Sequence, residues 1–288
     1  MRISFLLVFL FFARHGQGQV MMAYEDSIAT SYAALAEAAG DDEKRAHAQA
    51  MEGYFAACLQ FPEAFDYPFT RLKMMKAASS DGRIRIFNWN LPYADGTFRY
   101  YGFVVVRDSK SGVHSVVQLE DSEREIEKVE TKFLTPDKWM GALYFEIVPV
   151  KHKRKEQADT YVLLGWDGKD NITTRKIIDA VTVTGADKIR FGAPIFETLK
   201  GTQKRMIMEY SHEVSASVKY YPKKKCIVMD HVSPKAPELR GIFAEYGPDG
   251  TYDLLEFEKG KWLLKENIDV GQFSVDDDRP YNDPARMR

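Results

Sequence analysis

The chain has 288 residues, with 40 Lys and Arg against 42 Asp and Glu, 45% hydrophobic residues, 13% aromatic residues and two cysteines. A slight acidic excess without a basic stripe gives no footprint for nucleic acid, and two cysteines in this length exclude a disulfide-built scaffold. The length suits one large domain with its own core.

The first residues hold Arg2, an apolar run from Ile3 to Ala13 and a small-x-small step at Gly16-Gln17-Gly18. These are the parts of a cleavable secretory signal. A run of 11 residues falls short of the roughly 20 that span a bilayer, and no Cys precedes Cys58 to take a lipid. The expectation is a signal peptide over residues 1–18, cleavage after Gly18, and export to the periplasm, outer envelope or medium with neither span nor lipid anchor. Removal of Arg2 and Arg14 moves the net charge from −2 to −4.

From Tyr24 to Ala39 the residues Tyr24, Ile28, Tyr32, Leu35, Ala36 and Ala39 recur at helical spacing. Gly40 is expected to stop this helix as a left-handed cap. Asp41, Asp42 and Glu43 suit the start of the next, whose apolar stripe is Met51, Tyr54, Phe55, Cys58 and Leu59, and Pro62 ends it. Residues 24–61 therefore read as a helical hairpin, with no second copy to make a repeat array.

Beyond residue 70 the texture changes to short alternating runs. Asp-Gly at 81–82, 95–96, 167–168 and 249–250 favours the positive φ of two-residue hairpins. Strands are predicted near 71–79, 83–91, 97–107, 113–120, 140–150, 159–167, 173–184, 187–191, 203–211, 214–221, 225–232, 240–247, 251–258 and 262–268. Val214, Ala216, Val218 and Tyr220 alternate with Ser215, Ser217 and Lys219, so one dry and one wet face are expected. Ser122–Lys132 reads as a short solvated helix and 275–288 as a flexible tail. Lys151, Lys153, Arg154 and Lys155, and Lys223 to Lys225, read as solvated hairpin tips.

The fold class is thus mainly β with an N-terminal helical hairpin (α+β). Residues 19–274 form one domain, and 70–270 make a long sequential antiparallel sheet, curled or partly closed. A propeller-like alternative wants a regular signature, and Trp89, Trp139, Trp166 and Trp262 are unevenly spaced.

Several strings carry a family likeness: Phe65-Asp66-Tyr67-Pro68-Phe69, Arg85-Ile86-Phe87-Asn88-Trp89-Asn90-Leu91-Pro92, Asp95-Gly96-Thr97, Tyr101-Gly102-Phe103 and Leu163-Leu164-Gly165-Trp166-Asp167. Further ones are Phe191-Gly192-Ala193-Pro194-Ile195-Phe196, Met208-Glu209-Tyr210-Ser211, Asp230-His231-Val232-Ser233-Pro234 and Tyr246-Gly247-Pro248-Asp249-Gly250. From about residue 60 onward the chain resembles a family of exported bacterial β-rich proteins. The resemblance implies an envelope or secreted location and no particular reaction.

No Gly-x-Ser-x-Gly is present, which excludes the α/β-hydrolase elbow. Cys226 beside three lysines suggests a favoured thiolate, although a buried strand residue is the plainer reading, and pairing of Cys58 with Cys226 stays open. His47, His114, His152, His212 and His231 lack zinc-type spacing. Adjacent Asp230 and His231 point to opposite faces of a strand, so they are read as tying down the turn at Ser233-Pro234. Asp167, Lys169, Asp170 and Asn171 resemble part of a calcium loop, but Lys169 takes a ligand position and no closing Glu follows. No metal or cofactor is expected, and catalytic residues are unassigned.

Three functions follow. A non-catalytic binding or scaffold role in the envelope leads, with Trp89, Asn90, Trp166 and Asp167 forming the rim that meets another envelope protein or a polymer. A secreted hydrolase of an envelope polymer would draw on Asp95, Asp167, Glu209 and Asp230 among Trp89, Trp166, Tyr100 and Tyr101. A carrier would hold an apolar ligand in a β half-barrel.

Overall fold

Apolar stripes at helical spacing fold the first part of the chain into two packed helices. The computed structural model describes residues 4–150, 159–185 and 188–268. Helix α1 (Ser4–Glu37) runs unbroken past Gly18, and buries Met21, Ile28 and Leu35, seven residues apart, with Glu25 beside them. Helix α2 (Asp41–Cys58) turns Ala48, Met51, Phe55 and Cys58 inward. Gly40 is extended, with φ −120°, so it is the N-cap of α2 rather than a left-handed stop for α1. Asp41, Asp42 and Glu43 occupy the first turn of α2, where negative charge suits the helix dipole.

The strands are β1 (Met75–Ala78), β2 (Ile84–Pro92), β3 (Phe98–Arg107), β4 (His114–Glu120), β5 (Leu143–Pro149), β6 (Thr160–Asp167), β7 (Thr173–Val183) and β8 (Ile189–Phe191). They continue as β9 (Phe196–Thr198), β10 (Gly201–Gln203), β11 (Met206–Ser211), β12 (Val218–Tyr221), β13 (Cys226–Pro234), β14 (Tyr246–Glu258) and β15 (Lys261–Ile268). The first sheet is the antiparallel meander β1-β2-β3-β4. The second runs β11-β7-β6-β5, with β8 also on β7, and the third runs β10-β9-β15-β14-β13-β12. All pairings are antiparallel except that of β15 with β9.

The expected single curled sheet is thus three sheets, and neither a closed barrel nor a propeller is formed among the described residues. Helices, first sheet, second sheet and third sheet stack as layers, with a hydrophobic core in each of the three gaps. Two sheets are therefore covered on both faces, and their strands read as continuous apolar runs. In β3, Tyr100, Val104 and Val106 meet Tyr144, Leu163 and Val181 of the second sheet. Their neighbours Tyr101, Phe103 and Val105 meet Phe55 and Phe69. The wet-and-dry alternation expected around Val214–Tyr220 is only partial: Ala216 and Val218 are buried, but Tyr220 is half-exposed like Lys219.

Other expectations shift locally. Ser122–Lys132 holds two short 3-10 turns, 123–125 and 129–131, in place of a helix, and 243–245 is a 3-10 turn where the strand 240–247 was expected. Three Asp-Gly steps lie in the turns β1–β2, β2–β3 and β6–β7, but Asp249-Gly250 sits inside β14, opposite an irregularity between Asp230 and Val232. Ser233-Pro234 ends a strand rather than making a turn, and Asp230 binds the Ser217 amide at 2.6 Å. Lys224 and Lys225 occupy the exposed β12–β13 tip; the basic cluster at 151–155 and the tail 275–288 lie outside the described residues. Cys58 and Cys226 are both free and buried. No described helix is long and apolar enough to cross a membrane.

Buried polar groups lock the first sheet to the second. The Asn88 carboxamide accepts from the Tyr144 amide at 2.6 Å and donates to the carbonyls of Tyr144 and Met75 at 3.2 and 3.3 Å. It replaces the backbone ladder that the two sheets lack at this corner. Arg205 Nε donates to Asp179 at 3.0 Å, with both side chains fully buried, and Tyr144 donates to the same carboxylate at 3.1 Å.

Candidate functional site

Strand β1 is short and pairs only with Arg85–Asn88, so the β2 edge from Trp89 to Pro92 has no strand beside it on that side. Tyr32, Leu35 and Ala36 from the last turns of α1 close over this edge, while Leu143, Trp166, Asn171 and His212 supply the far wall. Between them lies a cleft of about 350 Å³. Trp89 stacks on Tyr101 (centroids 5.5 Å apart, planes 6° apart) and on Phe55 (5.3 Å, 21°). Trp166 meets Phe98 edge-on at 5.7 Å. Gly168 allows this corner to close, because a Cβ there would collide with the rings of Phe98 and Trp166.

The lining is aromatic, aliphatic and amide: no Asp, Glu, Lys or Arg contributes. Two of its amides are occupied, Asn88 as described and Asn171 on the Asp95 carbonyl at 3.4 Å. The Trp89 indole N–H is buried with no hydrogen-bond partner among the described residues, and half-buried Asn90 neighbours it on the wall.

The structure thus brings Trp89, Asn90 and Trp166 together from positions far apart in the chain. It does not make them an exposed rim: Trp89 is 1% and Trp166 2% exposed, and Asp167 is fully buried. Asp167 sits behind the cleft wall instead, accepting from the Tyr100 hydroxyl at 2.8 Å and the Lys169 amide at 2.8 Å.

Tyr93 and Phe98 also wall a smaller space of about 190 Å³, lined by Arg99, Asp121, Ser122, Glu123 and Glu125. Behind it Arg175 binds three carboxylates: Glu123, Asp167 at 3.3 Å and Glu209 at 2.9 Å. Lys169 pairs with Glu209 and reaches Thr173 at 2.9 Å. Burial, then the Asp167 charge, pushes the Glu123 carboxyl up to about 7. Burial likewise raises Asp167, whereas hydrogen bonds from Lys169 and Arg175 outweigh burial and hold Glu209 below its usual range.

Of the four carboxylates weighed for a hydrolase, Asp167 and Glu209 share Arg175, while Asp95 holds the β2–β3 turn and Asp230 the Ser217 amide. Glu123 and Arg175 went unread in the sequence and Lys169 was read only as a residue that spoils a cation loop, because a Glu- and Lys-rich stretch and a hairpin turn carry no signal of convergence. Asp170 caps the amides of Ile172 and Thr173 at 2.8 and 2.7 Å, a turn role rather than a cation loop. Burial raises the Cys226 thiol despite Lys224, and pushes Cys58 up to about 12, the opposite of an activated nucleophile.

Among the described residues no three His, Cys, Asp or Glu side chains group as metal ligands. Comparison with known protein families, with curated proteins and with solved structures finds no match.

Proposed function

We propose that this is an exported, non-catalytic binding protein of the cell envelope, and that its aromatic cleft takes one or two rings of an uncharged glycan. The observation that carries this reading is the lining: aromatic faces and amides, half-buried Asn90 among them, with no Asp, Glu, Lys or Arg. A charged ligand would be buried with no Asp, Glu, Lys or Arg to pair with it. A wholly apolar one would strip water from the Asn90 amide and give it no partner, at roughly 1–3 kcal/mol. Hydroxyl-bearing rings answer both demands, and the cleft volume lies in the range of about 300–1,000 Å³ usual for small-ligand sites.

Intrinsic tryptophan fluorescence during titration with neutral oligosaccharides released from the bacterial envelope tests the proposal. Saturable quenching is expected, weakened about tenfold or more by Asn90→Ala. Quenching by a long-chain alcohol that is unaffected by Asn90→Ala would move the reading to an apolar carrier, and no response to any neutral glycan would end the glycan reading. Export is tested by mass spectrometry of the envelope fraction: a mature chain starting at Gln19 is expected, and an intact Met1 in the cytoplasm would overturn it.

One observation favours a second reading, hydrolysis of the same polymer: the Glu123 carboxyl, raised to about 7, lines the space next door. A carboxyl so placed suits a general acid. Reducing-end release abolished by Glu123→Gln would establish it, and binding without release would set it aside.

A further inference from the structure

A further space, of about 260 Å³, lies between the second and third sheets. Its walls hold Met206 and Met208 from β11 and Met229 and His231 from β13. Alternate residues of a strand share a face, so β11 offers Met206 and Met208 as a pair, and β13 brings Met229 and His231 to the same space on either side of Asp230. β11 lies against β13 and β14, with Cα atoms within 8 Å, close enough for long side chains on both to meet.

His231 stands at the irregularity where β13 and β14 lose register, between Asp230 and Val232. Such sites re-aim side chains. Its Nδ1 lies 2.8 and 3.0 Å from the two Asp253 carboxylate oxygens. Asp253 thus fixes the ring and leaves Nε2 as the donor atom, the carboxylate–imidazole arrangement that supports metal-bound histidines. We infer that the Met206, Met208 and Met229 thioethers and the His231 imidazole form a site for a soft monovalent cation, Cu(I), with Ag(I) as its redox-inert probe.

The donor set selects the ion. Thioethers are soft ligands that favour Cu(I) over hard cations, which want oxygen. Zinc sites use thiolate, imidazole and carboxylate, and here three of four donors are neutral sulfur. The remaining charges agree. Asp253 and Glu266 offset Lys176 and Lys200 along the same walls, and Glu209 is taken by Lys169 and Arg175. The walls hold two Lys against three carboxylates, one of them already held by Lys169 and Arg175, so one positive charge costs less to bury than two.

The test is an anaerobic titration of the purified full chain with Cu(I) in competition with bicinchoninate. Withdrawal of one equivalent of Cu(I) is expected, as is selective movement by Ag(I) of three methionine methyl signals in carbon–proton NMR spectra. Met206→Leu, Met208→Leu and Met229→Leu combined should weaken binding at least a hundredfold, and His231→Gln about tenfold. The Cys58→Ala, Cys226→Ala chain should bind as the parent does. No withdrawal of Cu(I), binding unchanged in the triple leucine chain, or binding that disappears with the two thiols would each overturn the inference. If the triple variant does not fold, the methyl spectrum of the parent still decides: movement of any other set of methionines rejects the site.

Discussion

The two faces of the second sheet are built differently. Toward the first sheet it carries buried polar groups: Asn88 on Tyr144 and Tyr161 on Asp81 at 2.9 Å join the two sheets, and Asp179 is held by Arg205 at the start of β11. Toward the third sheet it offers Val148, Val162, Leu164 and Ile178, with half-buried Met206 and Met208. Directional bonds fix one register and make every alternative costly. Methionine and aliphatic packing tolerates substitution and small shifts. The aromatic cleft thus stands on the rigid gap, and the methionine-lined space on the adaptable one.

The largest break in this contrast should come from Arg205→Met, which strands Asp179 in the core and costs roughly 3–5 kcal/mol. Urea denaturation reads it, and adding Asp179→Leu should restore part of the loss. Asn88→Ala is next. It leaves the Tyr144 amide without its acceptor, at roughly 1–3 kcal/mol, and the loss appears as a lower urea midpoint with unchanged slope.

A pH effect of intermediate size belongs to the same gap. Glu123 has a carboxyl near 7 in the folded chain against an ordinary value of 4.5, so between those values the folded state holds more protons than the unfolded one. Stability therefore falls as pH rises through that window. Urea midpoints measured across it should show this slope, and Glu123→Gln should flatten it. The smallest effect is expected across the other gap: Met206→Leu, Met208→Leu or Met229→Leu each conserve volume and should cost less than about 1.5 kcal/mol. A larger loss there would mean that this face is as tightly specified as its opposite.

The sequence announced much of what is local, though not the extended Gly40 or the strand through Asp249-Gly250. Helical spacing marked α2 at Met51, Phe55 and Cys58, and Asp-Gly marked the turns at Gly82 and Gly96, both in left-handed backbone with φ 69° and 85°. The layering was not legible, because it depends on partners distant in sequence. β11 returns to β7 across three intervening strands, and β9 waits for β15. Trp89 and Trp166 drew attention as aromatics near strand ends, and they do converge, but nothing local told that α1 would roof them over. The Met206-x-Met208 and Met229-x-His231 pairs read as ordinary strand residues as long as the facing strand is unknown. Glu123 looked solvated because its counter-ion, Arg175, lies 52 residues away.

The parallel pairing of β15 with β9 also sets an order of events. Trp262 and Leu263 lie beside Phe196 and Glu197, so the β9–β10 hairpin gains its place in the third sheet only after the last described strand has emerged. A chain emerging from a ribosome or a translocation pore in N-to-C order can complete the helices and the first sheet early. The outer face of the second sheet, with Val162, Leu164 and Ile178, stays partly uncovered until then. Long-range closure of this kind is slow and leaves apolar surface open to aggregation, so truncation before Lys261 is expected to yield insoluble chains even though both helices and the first two sheets are intact in sequence.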